Sequence, residues 1–127
     1  MKNLLFILII VISAFVSAQN LEVKTLDINL ENYTYPFDVS FLNIENQQQQ
    51  LKMAYMDVVP ENYNGKNIML LHGKNFNGAY WQTTINQLTK EGFRVIVPDQ
   101  IGFGKSSKPE HFQYTFQQLA ENTKTLI

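Results

Sequence analysis

The rhythm of apolar and polar positions changes three times along the chain. Leu4 to Ile12 is an unbroken run of nine apolar residues behind Lys2, and it gives way to the small residues of Ser13–Ala18. A basic start, a short apolar core and small residues, with Val16 and Ala18 at the −3 and −1 positions, form the layout of a signal peptide covering residues 1–18. The other reading is an uncleaved anchor. The fifteen residues from Leu4 to Ala18 fall short of the roughly 20 that cross a bilayer, and cleavage is the expectation. Residues 19–36 have weak periodicity and read as an exposed lead-in. Asp38–Ile44 and Leu51–Val59 then alternate or run apolar on either side of the Gln47–Gln50 tract. That pattern predicts an antiparallel hairpin with the glutamines as a solvated turn. Pro60–Gly65 is a turn-rich connection.

Beyond it the alternation stops. Asn67–Leu71 is a short, continuous apolar run, predicting a strand buried on both faces as in helix-covered parallel sheets. Between Gly78 and Glu91, Tyr80, Trp81, Ile85 and Leu88 fall at helical spacing, and Gly92 follows where a helix C-cap favours positive φ. Arg94–Val97 is a second buried-type strand closed by Pro98, and Asp99–Pro109 is a glycine-punctuated loop. From Tyr114 onward, Phe116, Leu119, Ala120, Thr123, Leu126 and Ile127 again follow a helical period. Strand, helix, strand, loop, helix is a βαβα unit, and the fold class is α/β. The last helix is expected to run to a core-facing Ile127 with no stop signal behind it, which reads as the N-terminal part (37–127) of a longer, incomplete domain.

Composition narrows the chemistry. One domain fits 127 residues. Ten Lys+Arg against eleven Asp+Glu give a net charge of −1, so a nucleic-acid partner is not expected. Without cysteine there is no disulfide, thiolate ligand or cysteine nucleophile. Two histidines, His72 and His111, are too few for a His-rich metal site.

The densest motif is Leu70–Trp81. A buried strand ends at His72-Gly73 and the chain turns over the sheet's carboxyl edge, where open α/β sheets place their ligands. Gly73 allows the sharp bend, so the next amide can face the cleft and stabilise developing negative charge. A second motif, Val97-Pro98-Asp99-Gln100-Ile101-Gly102-Phe103-Gly104-Lys105-Ser106, leaves the second strand at the same edge.

Together these residues resemble the α/β-hydrolase family from about Pro36 to Ile127. The resemblance is carried by His72-Gly73 with Trp81 shortly after, by the D-x-x-G-x-G-x-S loop from Asp99 to Ser106, and by the Phe116–Leu126 helix that in the family leads into the nucleophile strand. The chain is most similar to the serine hydrolases of the esterase, C–C hydrolase and dehalogenase-related group. The resemblance implies the N-terminal part of an α/β-hydrolase fold, with Gly73 as the turn and Lys74 N–H as one oxyanion-hole donor. The second donor follows the nucleophile. No G-x-S-x-G elbow occurs in these residues, and in the family the order is Ser, Asp/Glu, His, so nucleophile, acid and base are all expected beyond Ile127.

The remaining residues carry competing readings. His72 reads as a backbone-bonded structural residue rather than a base, because buried polar groups find partners. The Lys74 side chain could contact an anionic substrate, or only its backbone matters. Asn75, Phe76 and Trp81 are candidate substrate contacts, and Trp81 fits the core equally well. Dehalogenase members carry Asn directly after HG and epoxide hydrolases a Pro one position further; Lys74 and Asn75 stand there, so neither specific activity is implied. Asp99 is expected to hydrogen-bond the amides of the Gly102–Gly104 loop, with Ser106 part of the same turn. Gly104-Lys105-Ser106 echoes a phosphate loop, but Asp99 occupies the position of its first glycine. His111 reads as solvated. The function the resemblance implies is an exported hydrolase attacking an ester, amide or similar carbonyl in a small-molecule substrate, off the membrane once the signal is removed, with no metal or other cofactor expected. The alternatives are a secreted binding protein that kept the fold without its triad, or an inactive truncated product.

Overall fold

The computed structural model describes residues 25–127, so the signal-peptide stretch lies outside the described residues. Four strands, β1 (Val39–Asn46), β2 (Gln49–Val58), β3 (Asn67–Met69) and β4 (Arg94–Pro98), form one sheet in the order β1-β2-β4-β3. The β1–β2 and β2–β4 pairs are antiparallel, and β3 runs parallel to β4. Between the parallel strands lie one 3₁₀ turn, Gly78–Trp81, and helix α1 (Gln82–Lys90). Helix α2 (Phe116–Lys124) follows the long loop after β4. The predicted hairpin and βαβα order are therefore present.

Alternation along β2 divides the core between the two faces of the sheet. Met56 packs with Val95, Val97, Ile85 of α1 and Tyr35 on one side. Leu51 and Met53 pack with Ile44 and Ile101 on the other, where Phe112 and Leu126 join them. β4 meets the expectation of a strand buried on both faces, with Val95, Ile96 and Val97 all buried.

Several boundaries differ from the sequence pattern. β3 is shorter than Asn67–Leu71 and only half-buried, and Leu71 is 51% exposed. Among the described residues β3 has a neighbour on one side only, which leaves its other edge uncovered. The hairpin turn is Gln47–Gln48 alone, and Gln49 and Gln50 already belong to β2. Of the lead-in, residues 25–36 are described; they are largely exposed until their end, where Tyr35 is 8% exposed and Leu30 packs beside it.

Both helices show how capping overrides periodicity. Asn77 Oδ1 accepts from Ala79 N–H and starts the 3₁₀ turn, which swings Tyr80 outward while Ile85 alone is fully buried. α1 ends as expected at Gly92 (φ +85°), with Gly92 N–H donating to Thr89 O and Phe93 N–H to Leu88 O. In α2, Thr115 Oγ1 caps Gln118 N–H, and the helix ends at Lys124 rather than running on to Ile127. Its expected apolar face is not its buried face. Phe116 is 89% and Ile127 87% exposed, whereas Asn122 is 3% exposed. The reason is polar docking: Asn122 Oδ1 accepts from Asn46 Nδ2 (2.8 Å) and Gln118 Nε2 (3.1 Å), so α2 is held to the hairpin by amides.

Candidate active site

β3 and β4 end on the same edge of the sheet, and the chain leaving each strand turns over that edge. His72 joins the two crossings. Gln100 N–H donates to His72 Nε2 at 2.9 Å, and His72 Nδ1 lies 2.9 Å from the Gly73 carbonyl. A backbone amide only donates, so Nε2 is the bare nitrogen and Nδ1–H donates to Gly73 O. Both ring nitrogens of His72 thus bond backbone groups, and its ring further rests edge-on to Phe103 at 5.5 Å.

The bond from His72 has a consequence one atom further on. Phe76 N–H donates to the same Gly73 carbonyl at 3.2 Å, closing a turn with Lys74 and Asn75 in its middle. Asn75 has φ +67°, the left-handed value that the third residue of a type II turn adopts and that Asn tolerates well. The Gly73 C=O and the Lys74 N–H belong to one planar trans peptide, so they point in opposite directions. Two donors that hold the oxygen therefore also aim the N–H. Among the described residues no acceptor meets Lys74 N–H.

Lys74 lines a cleft of about 650 Å³. Three stretches form its wall: His72, Gly73 and Lys74 after β3; Gln100, Gly102 and Phe103 after β4; and Tyr114, Thr115, Phe116 and Leu119 around the start of α2. Among the described residues no carboxylate lines it, and its walls are mainly aromatic and aliphatic. Of the candidates read from sequence, His72, Gly73, Lys74 and Gly102 meet here. Asn75, Phe76 and Trp81 are not among the lining residues. Phe76 stacks on Tyr80 at 5.2 Å and Tyr80 on Trp81 at 4.5 Å, an aromatic ladder outside the turn. Trp81 packs against the core, with its buried Nε1–H unpaired among the described residues.

Next to Gln100 in the chain is Asp99, 1% exposed. Its Oδ1 accepts from Gly78 N–H (2.6 Å), and its Oδ2 accepts from Lys105 N–H and the Tyr35 hydroxyl (both 2.7 Å). These are not the Gly102–Gly104 amides expected as its partners. The loop is held through Lys105 rather than the Gly102–Gly104 amides, because Gly102 N–H turns to Ser107 O. Gly104 (φ +53°) passes so close that a Cβ there would land on the Asp99 carboxylate. Ser106 is fully buried: its hydroxyl donates to Asp99 O (2.6 Å) and accepts from Ala54 N–H (2.8 Å), stitching the loop to β2. Burial, reinforced by the bond to Asp99, pushes the Tyr35 hydroxyl well above the usual tyrosine range. His111 is exposed, and its carbonyl accepts from Gln49 Nε2 at 2.8 Å.

The sequence reading missed Tyr35, Gln100 and the far wall from Tyr114 to Leu119. Tyr35 lies 64 residues from its partner, and nothing local announces the bond. The wall had a signal, since Tyr114 and Phe116 flank a Thr at a helix start, the place where a helix meets solvent rather than core.

A family model described as the alpha/beta hydrolase fold matches residues 66–126, the stretch that carries β3, the cleft and α2. The chain belongs to the α/β-hydrolase fold family. A probable hydrolytic enzyme from Pseudomonas aeruginosa PAO1 is a solved structure similar to this chain, with 50% identity and a TM-score of 0.79 over 80% of this chain and 33% of that one. A haloalkane dehalogenase of Mycolicibacterium paratuberculosis is 38% identical over 75% of this chain and 32% of its own. An esterase from Exiguobacterium antarcticum matches at 26% identity and TM-score 0.56 over 66% of this chain and 29% of that one. The chain thus spans about one third of the length of these relatives. A hydrolytic role is consistent with all three.

Proposed function

We propose that this chain supplies the oxyanion side of an exported hydrolase that attacks an ester, amide or similar carbonyl through a serine nucleophile carried beyond Ile127. One observation carries the reading: the Gly73–Lys74 peptide is locked through its oxygen, and its N–H meets no acceptor among the described residues, in a residue that lines an apolar cleft. A preset donor of this kind needs no reorganisation when an oxyanion forms, and losing one typically lowers kcat by about 10²–10³. An apolar cleft around it strengthens the interaction by excluding water. The substrate acyl group would lie along Phe103, Tyr114 and Phe116, and no metal or cofactor takes part in the step. The apolar run Leu4–Ile12 supports export.

The test is Lys74→Pro in the full-length protein. Proline suits the second position of this turn, so the change removes the N–H while keeping the backbone shape. Hydrolysis of p-nitrophenyl acetate should fall by about 10²–10³ in kcat with the folded state intact. A fluorophosphonate probe should label one serine beyond Ile127. Unchanged turnover in Lys74→Pro would refute the oxyanion assignment. Halide release from a haloalkane without serine labelling would instead favour a dehalogenase, the activity named for the Mycolicibacterium relative. Neither activity, in a protein that still binds small molecules, would point to a non-catalytic binder.

A further inference from the structure

We propose that Gln47, on the tip of the β1–β2 hairpin, is a positioning residue for the far wall of the cleft, and that this wall accepts the longer apolar acyl groups of ester substrates. The inference rests on the hydrolase reading above. The hairpin closes in two residues, Gln47 (φ +49°) and Gln48 (φ +60°), between the paired Asn46 and Gln49. Such a turn favours Asn-Gly, because both central residues need positive φ. Long side chains there are unexpected unless they reach something.

Gln47 does. Its Oε1 accepts from Gln113 N–H at 2.9 Å and its Nε2 donates to Gln113 O at 3.1 Å, so one side-chain amide holds both backbone groups of one residue. Gln49 Nε2 adds a bond to His111 O at 2.8 Å. The segment they grip has no helix or strand of its own. It leads directly into Tyr114, Thr115 and Phe116, which line the same cleft as Lys74. Tyr114 and Phe116 are 46% and 89% exposed, so packing alone does not fix them. Asn or Gly at position 47 would suit the turn better but would not reach Gln113. The glutamine is explained by what it holds, and the held wall is apolar.

The experiment uses the full-length protein with Gln47→Asn, Gln47→Gly and Gln47→Glu. The first two keep a turn that accepts positive φ and remove the grip. The Gln113 amide should then exchange with deuterium about fivefold faster, the effect of one ordinary hydrogen bond. KM for p-nitrophenyl octanoate should rise about fivefold relative to that for the acetate, on the same basis, with kcat unchanged within about twofold. Gln47→Glu still accepts from Gln113 N–H and should fall between. A purely structural role would move stability without separating octanoate from acetate. Unchanged exchange at Gln113, or faster exchange with equal KM shifts for both esters, overturns the proposal. If the unsubstituted protein hydrolyses neither ester, the hydrolase reading fails, and the acyl-wall role fails with it, while exchange at Gln113 still decides whether Gln47 holds the segment.

Discussion

Replacing Gly104 by Ala tests the Asp99 hub directly. At φ +53° an L side chain costs roughly 1–2 kcal/mol by itself. The new Cβ would also land on the Asp99 carboxylate, which is buried and accepts three hydrogen bonds, from Gly78 N–H, Lys105 N–H and the Tyr35 hydroxyl. It cannot yield without giving up at least one of them, each worth about 1.5–3 kcal/mol because the acceptor is charged. Gly104→Ala should therefore destabilise the protein by about 3–5 kcal/mol. Gly65→Ala is the matched control: φ is +83°, yet no atom lies within 4 Å of the new Cβ, so only the backbone cost of about 1–2 kcal/mol applies. Urea unfolding of both variants, read as midpoint shifts at constant slope, gives the comparison. In an Asp99→Ala background the excess cost of Gly104→Ala should disappear. Equal costs at Gly104 and Gly65 in the unsubstituted background would refute the argument that Asp99 is what Gly104 must avoid.

Two further changes probe the same hub from other sides. Tyr35→Phe removes a donor from Asp99 and should lower stability by about 1.5–3 kcal/mol at neutral pH. Because the folded state holds the Tyr35 proton above the unfolded tyrosine value of about 10, stability is fully present below that pH and falls as pH rises past it. The Phe variant should lose less stability between neutral pH and pH 11, as followed by urea midpoints at each pH. Ser106→Ala leaves the buried Ala54 N–H without its acceptor and should cost about 1–3 kcal/mol, whereas Ser106→Thr keeps the hydroxyl. Equal midpoints for Ser106→Ala and the parent would remove Ser106 from the loop's support.

What could be read from the chain was whatever is encoded within a few residues. The βαβ unit is local: a buried β4, Gly92 at the end of α1 and a strand beginning at Asn67 follow from nearest-neighbour patterns, though that strand stops at Met69 rather than Leu71. His72 and Gly73 were visible because a strand end followed by glycine is itself a local signal. The partners of Asp99 were not, because the sequence says only that a buried acid needs donors and not which of them arrive from 64 residues away. The α2 face was misjudged for a related reason. Period counting rewards Phe116 and Ile127, but the helix is fastened by Asn122 to Asn46, a polar contact invisible to an apolar pattern. Likewise the glutamine tract read as solvent-facing because nothing in four consecutive glutamines reveals that Gln47 reaches Gln113.

The strand order β1-β2-β4-β3 also bears on how the chain acquires its shape as it is made. The hairpin can form as soon as β2 has emerged, since its partner is adjacent. The inner edge of β2 and the whole of β3 must then wait for β4, which slides between them and satisfies both ladders together. Until that insertion, two unpaired edges stand open at once, the state in which strands mispair or aggregate. Afterwards the crossings that carry His72 and Gln100 are side by side for the first time, so the bond that aims the Lys74 amide cannot precede the closing of the sheet. The aim of that amide and the pairing of β4 with both neighbours thus arrive in a single event.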